Sequence, residues 1–373
     1  MMKRSVERKI LAGLTGTALV MGTLFSFGGA AQASETQSVY TAPGEKPIAS
    51  EAEENQAQVE KKEEPVRISI NLAARSLALY RGSEKVALYP IGPGTAATPT
   101  PTGYYKVQEK IVNPTWTSPS SGESIPSGPD NPLGYRWIGF QGNYGIHGTN
   151  HPDSVGHYVS NGCVRMHEED VEKVFDKVEV GTPIEITYNR VVVEKIPDQT
   201  IVYYIYPDGY GRQNLEVADV ANWLKGYGVA DFESDEAIQQ KIDASDGQPT
   251  YIAKVYPLIV NGQKLKEKAV VQDGITYLPS IPLAKASKVS LGWNADSNTL
   301  VSTVGKAVGY NKKDTLYCNA DDAETLFHLT GGLNQSGAYE LKDDGQGNAP
   351  AETKTQKKEK TLQEIQAEAT KKG

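Results

Sequence analysis

Val66-Arg67-Ile68-Ser69-Ile70-Asn71-Leu72 alternates apolar and polar side chains over seven residues. That period of two places one apolar face of a strand against a core. Short runs of the same kind follow at Leu77–Tyr80, Val86–Ile91, Tyr104–Val107 and Tyr135–Phe140. Gly/Pro clusters punctuate them, as in Gly92-Pro93-Gly94 and Pro99–Gly103. One helix stands out. Val171, Val174, Phe175 and Val178 fall at i, i+3, i+4 and i+7, behind the acidic first turn Glu168-Glu169-Asp170, whose charge suits a helix N-terminus. Gly181-Thr182-Pro183 closes it, and Ile184, Ile186 and Tyr188 start another strand. Residues 66–190 therefore read as a mainly β domain with little helix.

Upstream, Lys3, Arg4, Arg8 and Lys9 precede a mostly apolar stretch from Ile10 to Phe27. Ala31-Gln32-Ala33 then offers a small-x-small cleavage site before Ser34. Residues 1–33 are expected to be a secretory signal peptide, leaving no transmembrane segment after cleavage; the alternative is an uncleaved membrane anchor. Either places the remainder outside the cytoplasm, secreted or periplasmic. Residues 34–65 carry almost no large apolar side chains and are expected to be a disordered linker.

Downstream, residues 191–250 read as an α/β extension, with strands at Val191–Val193 and Ile201–Ile205 and short helices at Val217–Leu224 and Ala237–Ile242. Residues 251–341 form a second β-rich unit carrying the hairpin signals Asn261-Gly262 and Asp273-Gly274. With Gly292-Trp293-Asn294-Ala295-Asp296 it resembles the copper amine oxidase N-terminal-like domain, a small non-catalytic module. It holds no His/Cys cluster for a metal. From Lys342 to Gly373 the chain is polar and is expected to be a disordered tail.

The net charge is −8 over 373 residues, with no basic stripe, which argues against a nucleic-acid partner. Two cysteines, Cys163 and Cys318, are too few for a disulfide framework, and a bond between them would silence a reactive thiol. Both are expected to be free, Cys318 buried.

The chemistry-bearing stretch is Gly145-Ile146-His147-Gly148-Thr149-Asn150, then Ser160-Asn161-Gly162-Cys163-Val164-Arg165-Met166. A nucleophilic cysteine needs a base or a positive field, since few free thiols ionise at neutral pH. His147 can be the base, and Arg165 can bind a carboxylate or carbonyl. Gly148 and Gly162 remove side-chain bulk where a substrate backbone would approach. On spacing alone, a buried cysteine and an unrelated histidine remain an equal reading.

The residues themselves are more specific. They resemble the L,D-transpeptidase catalytic domain, whose pattern is a His-Gly pair followed by Ser/Thr-His-Gly-Cys-hydrophobic-Arg. Leu77-Ala78-Leu79-Tyr80, Thr100-Pro101-Thr102-Gly103 and Asn131-Pro132-Leu133-Gly134 extend the resemblance. It implies a β-sandwich-like fold and no cofactor. It implies attack by Cys163 on a peptidoglycan tetrapeptide stem, a thioester, and transfer to an acceptor amine or to water. It further implies that His147 moves the proton and that the Gly148 carbonyl orients the imidazole. Backbone N–H groups near Gly162 and Cys163 would stabilise the oxyanion. Arg165, Ser160, Asn161, Gly162 and Thr149 would contact substrate, and Cys163 would be open to carbapenem acylation. Asn161 departs from the pattern, standing where a histidine is frequent; it cannot accept a proton, which leaves His147 as the base. His151 and His157 read as solvated loop residues, His167 as structural. Trp116 and Trp137 read either as cleft lining or as core. Tyr203, Tyr204, Tyr206 and Tyr210 read as half-buried on a sheet, with stacking on glycan as the alternative.

Overall fold

A computed structural model describes residues 64–345, except Pro119 and Asp314. The expected signal peptide, nearly all of the linker and the tail beyond residue 345 lie outside the described residues. No helix among the described residues is long and apolar enough to cross a membrane.

The opening alternation does form a strand. β1 (Val66–Asn71) pairs antiparallel with β2 (Ser76–Arg81), which pairs with β3 (Glu84–Pro90). Ile68, Ile70 and the following Leu72 are wholly buried. Each such side chain contributes roughly 1.5–3 kcal/mol of burial free energy. β4 (Gly103–Lys106) completes this sheet beyond β11 (Pro183–Thr187), giving the order β3-β2-β1-β11-β4, in which only β1 and β11 run parallel.

A second sheet of four strands holds the motif residues. β5 (Glu109–Val112), β8 (Arg136–Gln141), β9 (Tyr144–His147) and the short β10 (Val164–Arg165) lie in the order β10-β9-β8-β5. Between β5 and β8, the small hairpin of β6 (Trp116–Thr117) and β7 (Ser124–Ile125) stands apart. Both larger sheets feed one core. Ile68, Ile70 and Leu79 of the first meet Ile138, Phe140, Ile146 and Val164 of the second. The expected helix is α1 (Glu168–Lys177), and it buries Val171, Val174 and Phe175 in the same core. The domain is a β-sandwich with one helix, as expected for a mainly β chain.

The segment that reads as an α/β extension joins the sheet of the unit that follows it. β12 (Val191–Lys195) and β13 (Thr200–Ile205) pair antiparallel, and β13 pairs onto β14 (Thr250–Val260). The sheet thus crosses residue 250 without a break. Helices α2 (Val217–Tyr227) and α3 (Asp235–Ala244) cover it, burying Val220, Leu224 and Ile238 beside Tyr203 and Ile205. β14 also pairs parallel with the strand Tyr339–Asp343. Lys342 and Asp343 therefore belong to a strand, where a polar tail was expected to begin. The pairing across residues 258–260 and 339–341 was not readable from either segment alone.

Candidate active site

Two rows of residues cross the four-stranded sheet. On its inner face Val164, Ile146, Ile138 and Lys110 are in register, and the three apolar members are fully buried. The neighbouring row, which strand alternation turns to the opposite face, is Arg165, His147, Trp137 and Ile111. Cys163 is one residue before the paired Val164, so it shares the face of Arg165. One alternation therefore delivers thiol, imidazole and guanidinium to a single surface.

That surface is the floor of a cleft of about 960 Å³. His147, Cys163 and Arg165 line it together with Ser160, Asn161, Trp137 and Glu109, and Trp116 and Leu133 form its apolar lip. Trp116 and Trp137 thus face the cleft. Trp137 stacks on His147 with ring centroids 5.8 Å apart, and its indole N–H donates to Glu109 Oε1 at 2.9 Å. The lip is braced by Asn131, whose buried amide donates to the carbonyls of Pro114 and Ile125.

His147 is 4% exposed. Its Nδ1 lies 2.6 Å from the carbonyl oxygen of Gly148. A carbonyl only accepts, so Nδ1 carries the hydrogen and Nε2 keeps its lone pair. Burial lowers the pKa to about 4; the Gly148 bond opposes that shift, and the positive charge of Arg165 adds to it. The imidazole is therefore neutral at pH 7.

Cys163 is a half-buried free thiol, and its S–H donates to the Asn143 carbonyl at 3.4 Å. Burial pushes its pKa up, against the opposing pull of the Gly145 backbone N–H and of Arg165. The resting pair is thus a neutral thiol and a neutral imidazole. Arg165 makes no ion pair among the described residues, and its buried Nε has no hydrogen-bond partner. Desolvation lowers its pKa. A half-buried guanidinium with an unsatisfied donor is a ready anion site.

The remaining expected contacts divide. Asn161 is exposed on the cleft. Ser160 lines it but is 3% exposed, and its hydroxyl donates to Cys163 O at 2.5 Å and accepts from Gly162 N at 3.0 Å. It braces the loop. That bond also occupies the Gly162 N–H, which was expected to serve an oxyanion. Thr149 is not among the cleft-lining residues: it is buried, and its hydroxyl accepts from His151 N at 3.0 Å. Gly162 is likewise buried behind the surface.

The two glycines have reasons other than room for substrate. A Cβ on Gly148 would lie 2.0 Å from Glu168 Oε2, and one on Gly162, at φ +114°, would lie 2.4 Å from the Tyr144 ring. A helix start accounts only for the charge of Glu168. Its Oε1 accepts from Tyr135 N at 2.7 Å, and the Thr149 N–H also bonds the carboxylate. It ties the backbone at Tyr135 to that at Thr149, just beyond the imidazole's own residue. The helix-start reading had no way to reveal a partner 33 residues away.

His151 and His157 are exposed, and His167 is the N-cap residue of α1. Cys318 is buried, its thiol pushed up to about 12 chiefly by burial. Tyr203 and Tyr210 are buried, and Tyr204 and Tyr206 stack on each other at 6.0 Å.

Residues 65–186 match the family model described as the L,D-transpeptidase catalytic domain. YqjB of Bacillus subtilis (strain 168), which carries the L,D-transpeptidase name, is 38% identical over 136 residues, covering 35% of this chain and 75% of YqjB. ErfK/SrfK of Escherichia coli (strain K12), of the same name, is 34% identical over 197 residues, covering 48% of this chain and 57% of that protein. Among solved structures, an L,D-transpeptidase from Mycobacterium smegmatis aligns at 20% identity and TM-score 0.29, over 33% of this chain and 58% of that one.

Proposed function

We propose that this chain, which belongs to the L,D-transpeptidase family, transfers an acyl group between peptidoglycan stem peptides through a thioester on Cys163. One observation carries the reading. A neutral imidazole, tied at Nδ1 to Gly148 O, keeps a basic Nε2 on the sheet face that also presents the Cys163 thiol. The sulfur attacks the carbonyl that precedes the terminal residue of a tetrapeptide stem, and its proton passes to Nε2. The C–N bond breaks, the imidazolium returns the proton to the leaving amine, and a thioester remains. An acceptor amine then attacks that thioester, gives its proton to His147 and restores the thiol. Neither cysteine nor histidine needs to be charged before substrate arrives, because the transfer creates the pair only along the reaction path.

Arg165 holds a carboxylate of the stem, consistent with its unsatisfied Nε. Asn161 contacts the peptide at the rim. The cleft volume is at the upper end of the range for ligand pockets, roughly 300–1,000 Å³, which suits a peptide more than a single amino acid. The chain acts outside the cytoplasm, at the cell wall, in keeping with the N-terminal charge and hydropathy pattern. Residues 251–341 serve as a non-catalytic module of the copper amine oxidase N-terminal-like kind.

The test is incubation of the purified protein with tetrapeptide-stem muropeptides and detection of dimers by mass spectrometry. Equal product from wild type and Cys163→Ala sinks the reading. Tripeptide without dimers replaces transpeptidation by hydrolysis at the same site. Failure of Cys163 to form a carbapenem adduct favours a wall-binding role without catalysis.

A further inference from the structure

The loop that carries Cys163 is held from outside the segment that matches the family. After β13 the chain turns back over the sandwich through Tyr206–Gln213. Asp208 locks this turn, accepting from Tyr188 Oη at 2.6 Å, Arg212 N at 3.0 Å and Gln213 N at 2.7 Å. The Arg190 guanidinium ties its two ends, donating to Tyr206 O and Gln213 O. At the tip, the Tyr210 ring stacks on Tyr188 at 4.8 Å and leans on Tyr158 at 5.1 Å. The preceding residue must be glycine here, because a Cβ on Gly209 would lie 2.1 Å from the Tyr158 ring.

From that fixed position the Tyr210 hydroxyl reaches the family-matching segment. It donates to Gly94 O at 3.0 Å and accepts from Thr100 N at 3.4 Å. The Gly94–Thr100 turn is closed on itself by Gly94 N donating to Thr100 Oγ1 at 2.9 Å. The turn in turn grips Ser160: Thr95 N and Thr98 Oγ1 both donate to Ser160 O at 3.0 Å. Ser160 Oγ donates to Cys163 O. Three hydrogen-bonded links, buried at Tyr210 and part-buried at Ser160, therefore run from Tyr210 to the backbone of Cys163. The turn is packed tightly against the loop, for a Cβ on Gly94 would come within 3.0 Å of Gly162 Cα.

We infer that Tyr210 is a positioning residue for Cys163, acting through the Gly94–Thr100 turn and Ser160. The inference rests on the reading of Cys163 as nucleophile. It makes the segment beyond residue 190 part of the active-site architecture instead of an appendage to it.

The test compares two hydroxyl deletions in the same aromatic cluster of the full chain. Tyr210→Phe keeps the stacked ring and removes the two bonds to the turn. Tyr158→Phe removes a hydroxyl whose bond goes to Leu72 O at 3.0 Å, away from the turn. Three readouts are taken: thermal midpoint, kcat and KM for the donor stem, and the pH midpoint of Cys163 alkylation by iodoacetamide. Tyr210→Phe is expected to lower kcat about tenfold, the equivalent of one lost hydrogen bond in the transition state, with KM unchanged and the alkylation midpoint moved. Tyr158→Phe is expected to lose similar thermal stability with kcat within about twofold and the alkylation midpoint in place. Equal effects of the two variants on kcat and on alkylation overturn the inference. If Tyr210→Phe does not fold, Thr100→Val removes the bond that closes the same turn, and unaltered kcat and alkylation in that variant overturn it equally. Alkylation requires no peptidoglycan, so it decides the role of Tyr210 even if the transpeptidase reading fails.

Discussion

His147 Nδ1 donates to the carbonyl oxygen of its own neighbour, Gly148, across 2.6 Å. A carboxylate in that place would favour the imidazolium; a peptide carbonyl carries only a partial charge. The ring is buried against Trp137 with Arg165 close by, so its pKa falls to about 4, chiefly by desolvation. The site therefore rests as two neutral groups and separates charge only when substrate is present.

The first consequence concerns the thiol. Burial holds Cys163 above the ordinary cysteine range, and the Gly145 N–H and Arg165 only partly offset this. The rate of alkylation by iodoacetamide should keep rising with pH through about 9, with no plateau near neutrality. Removing the positive field in Arg165→Ala should move the profile further towards alkaline pH. A plateau below pH 7 would show a preformed thiolate and overturn the neutral-pair description.

A second consequence is a loss of stability in acid. His147 has a lower pKa folded than unfolded, so between pH 6.5 and about 4 the unfolded chain binds more protons. Stability then rises with pH across that window and is lost as pH falls through it. From pH 6.5 to 5 the loss from this one group is about 1.5 kcal/mol. His147→Asn keeps a donor for Gly148 O but does not titrate. Its urea midpoint should change less between those two pH values than that of the wild type. Parallel changes in both proteins would assign the acid sensitivity to other groups.

The parts of this structure that were readable in the sequence are those set by short-range periodicity. The alternation of Ile68, Ile70 and Leu72, and the helical spacing of Val171, Val174 and Phe175, each bury the expected face. The closeness of His147, Cys163 and Arg165 follows from the parallel pairing of β9 and β10, which no local pattern announces. It was reached through the resemblance of the motif. What stayed hidden depends on long-range contacts. Glu168 looked complete as a helix-start charge, and Tyr210 looked like one more sheet tyrosine. The partner of Tyr210, Gly94, is 116 residues away. Gly148 and Gly162 suggest room for substrate in the sequence, which cannot show that Glu168 and Tyr144 already occupy that room.

Arg165 supplies a prediction about binding separable from chemistry. Its guanidinium has no anionic partner among the described residues and an unsatisfied buried Nε. If it holds a substrate carboxylate in ground and transition states alike, Arg165→Ala should raise KM for the donor roughly tenfold to a hundredfold and change kcat little. Arg165→Lys should recover only part of this, since an ammonium lacks the planar fork. Steady-state kinetics on a stem with its carboxylates free and on the amidated stem check the pairing. An equal Arg165→Ala penalty on both would show that the guanidinium does not read that carboxylate.

The clamp on the His147 turn can be tested as a pair. Glu168 accepts from Tyr135 N and from the Thr149 N–H, and its Oε2 occupies the space that a Cβ on Gly148 would need. Glu168→Ala leaves two backbone donors without their acceptor, a loss of about 1–3 kcal/mol in stability. It also frees the peptide whose carbonyl orients the imidazole, so kcat should fall more than KM rises. Glu168→Gln keeps an acceptor oxygen and should recover part of both losses. Gly148→Ala alone drives its Cβ against the carboxylate, with an overpacking loss of about 1–3 kcal/mol. In the double variant the carboxylate is gone and the methyl group takes its space. Urea unfolding of the four proteins should then give a double-variant loss smaller than the sum of the singles, a coupling of about 0.5–3 kcal/mol. Strict additivity would mean that Glu168 and Gly148 do not compete for one space, and the clamp would lose its physical basis.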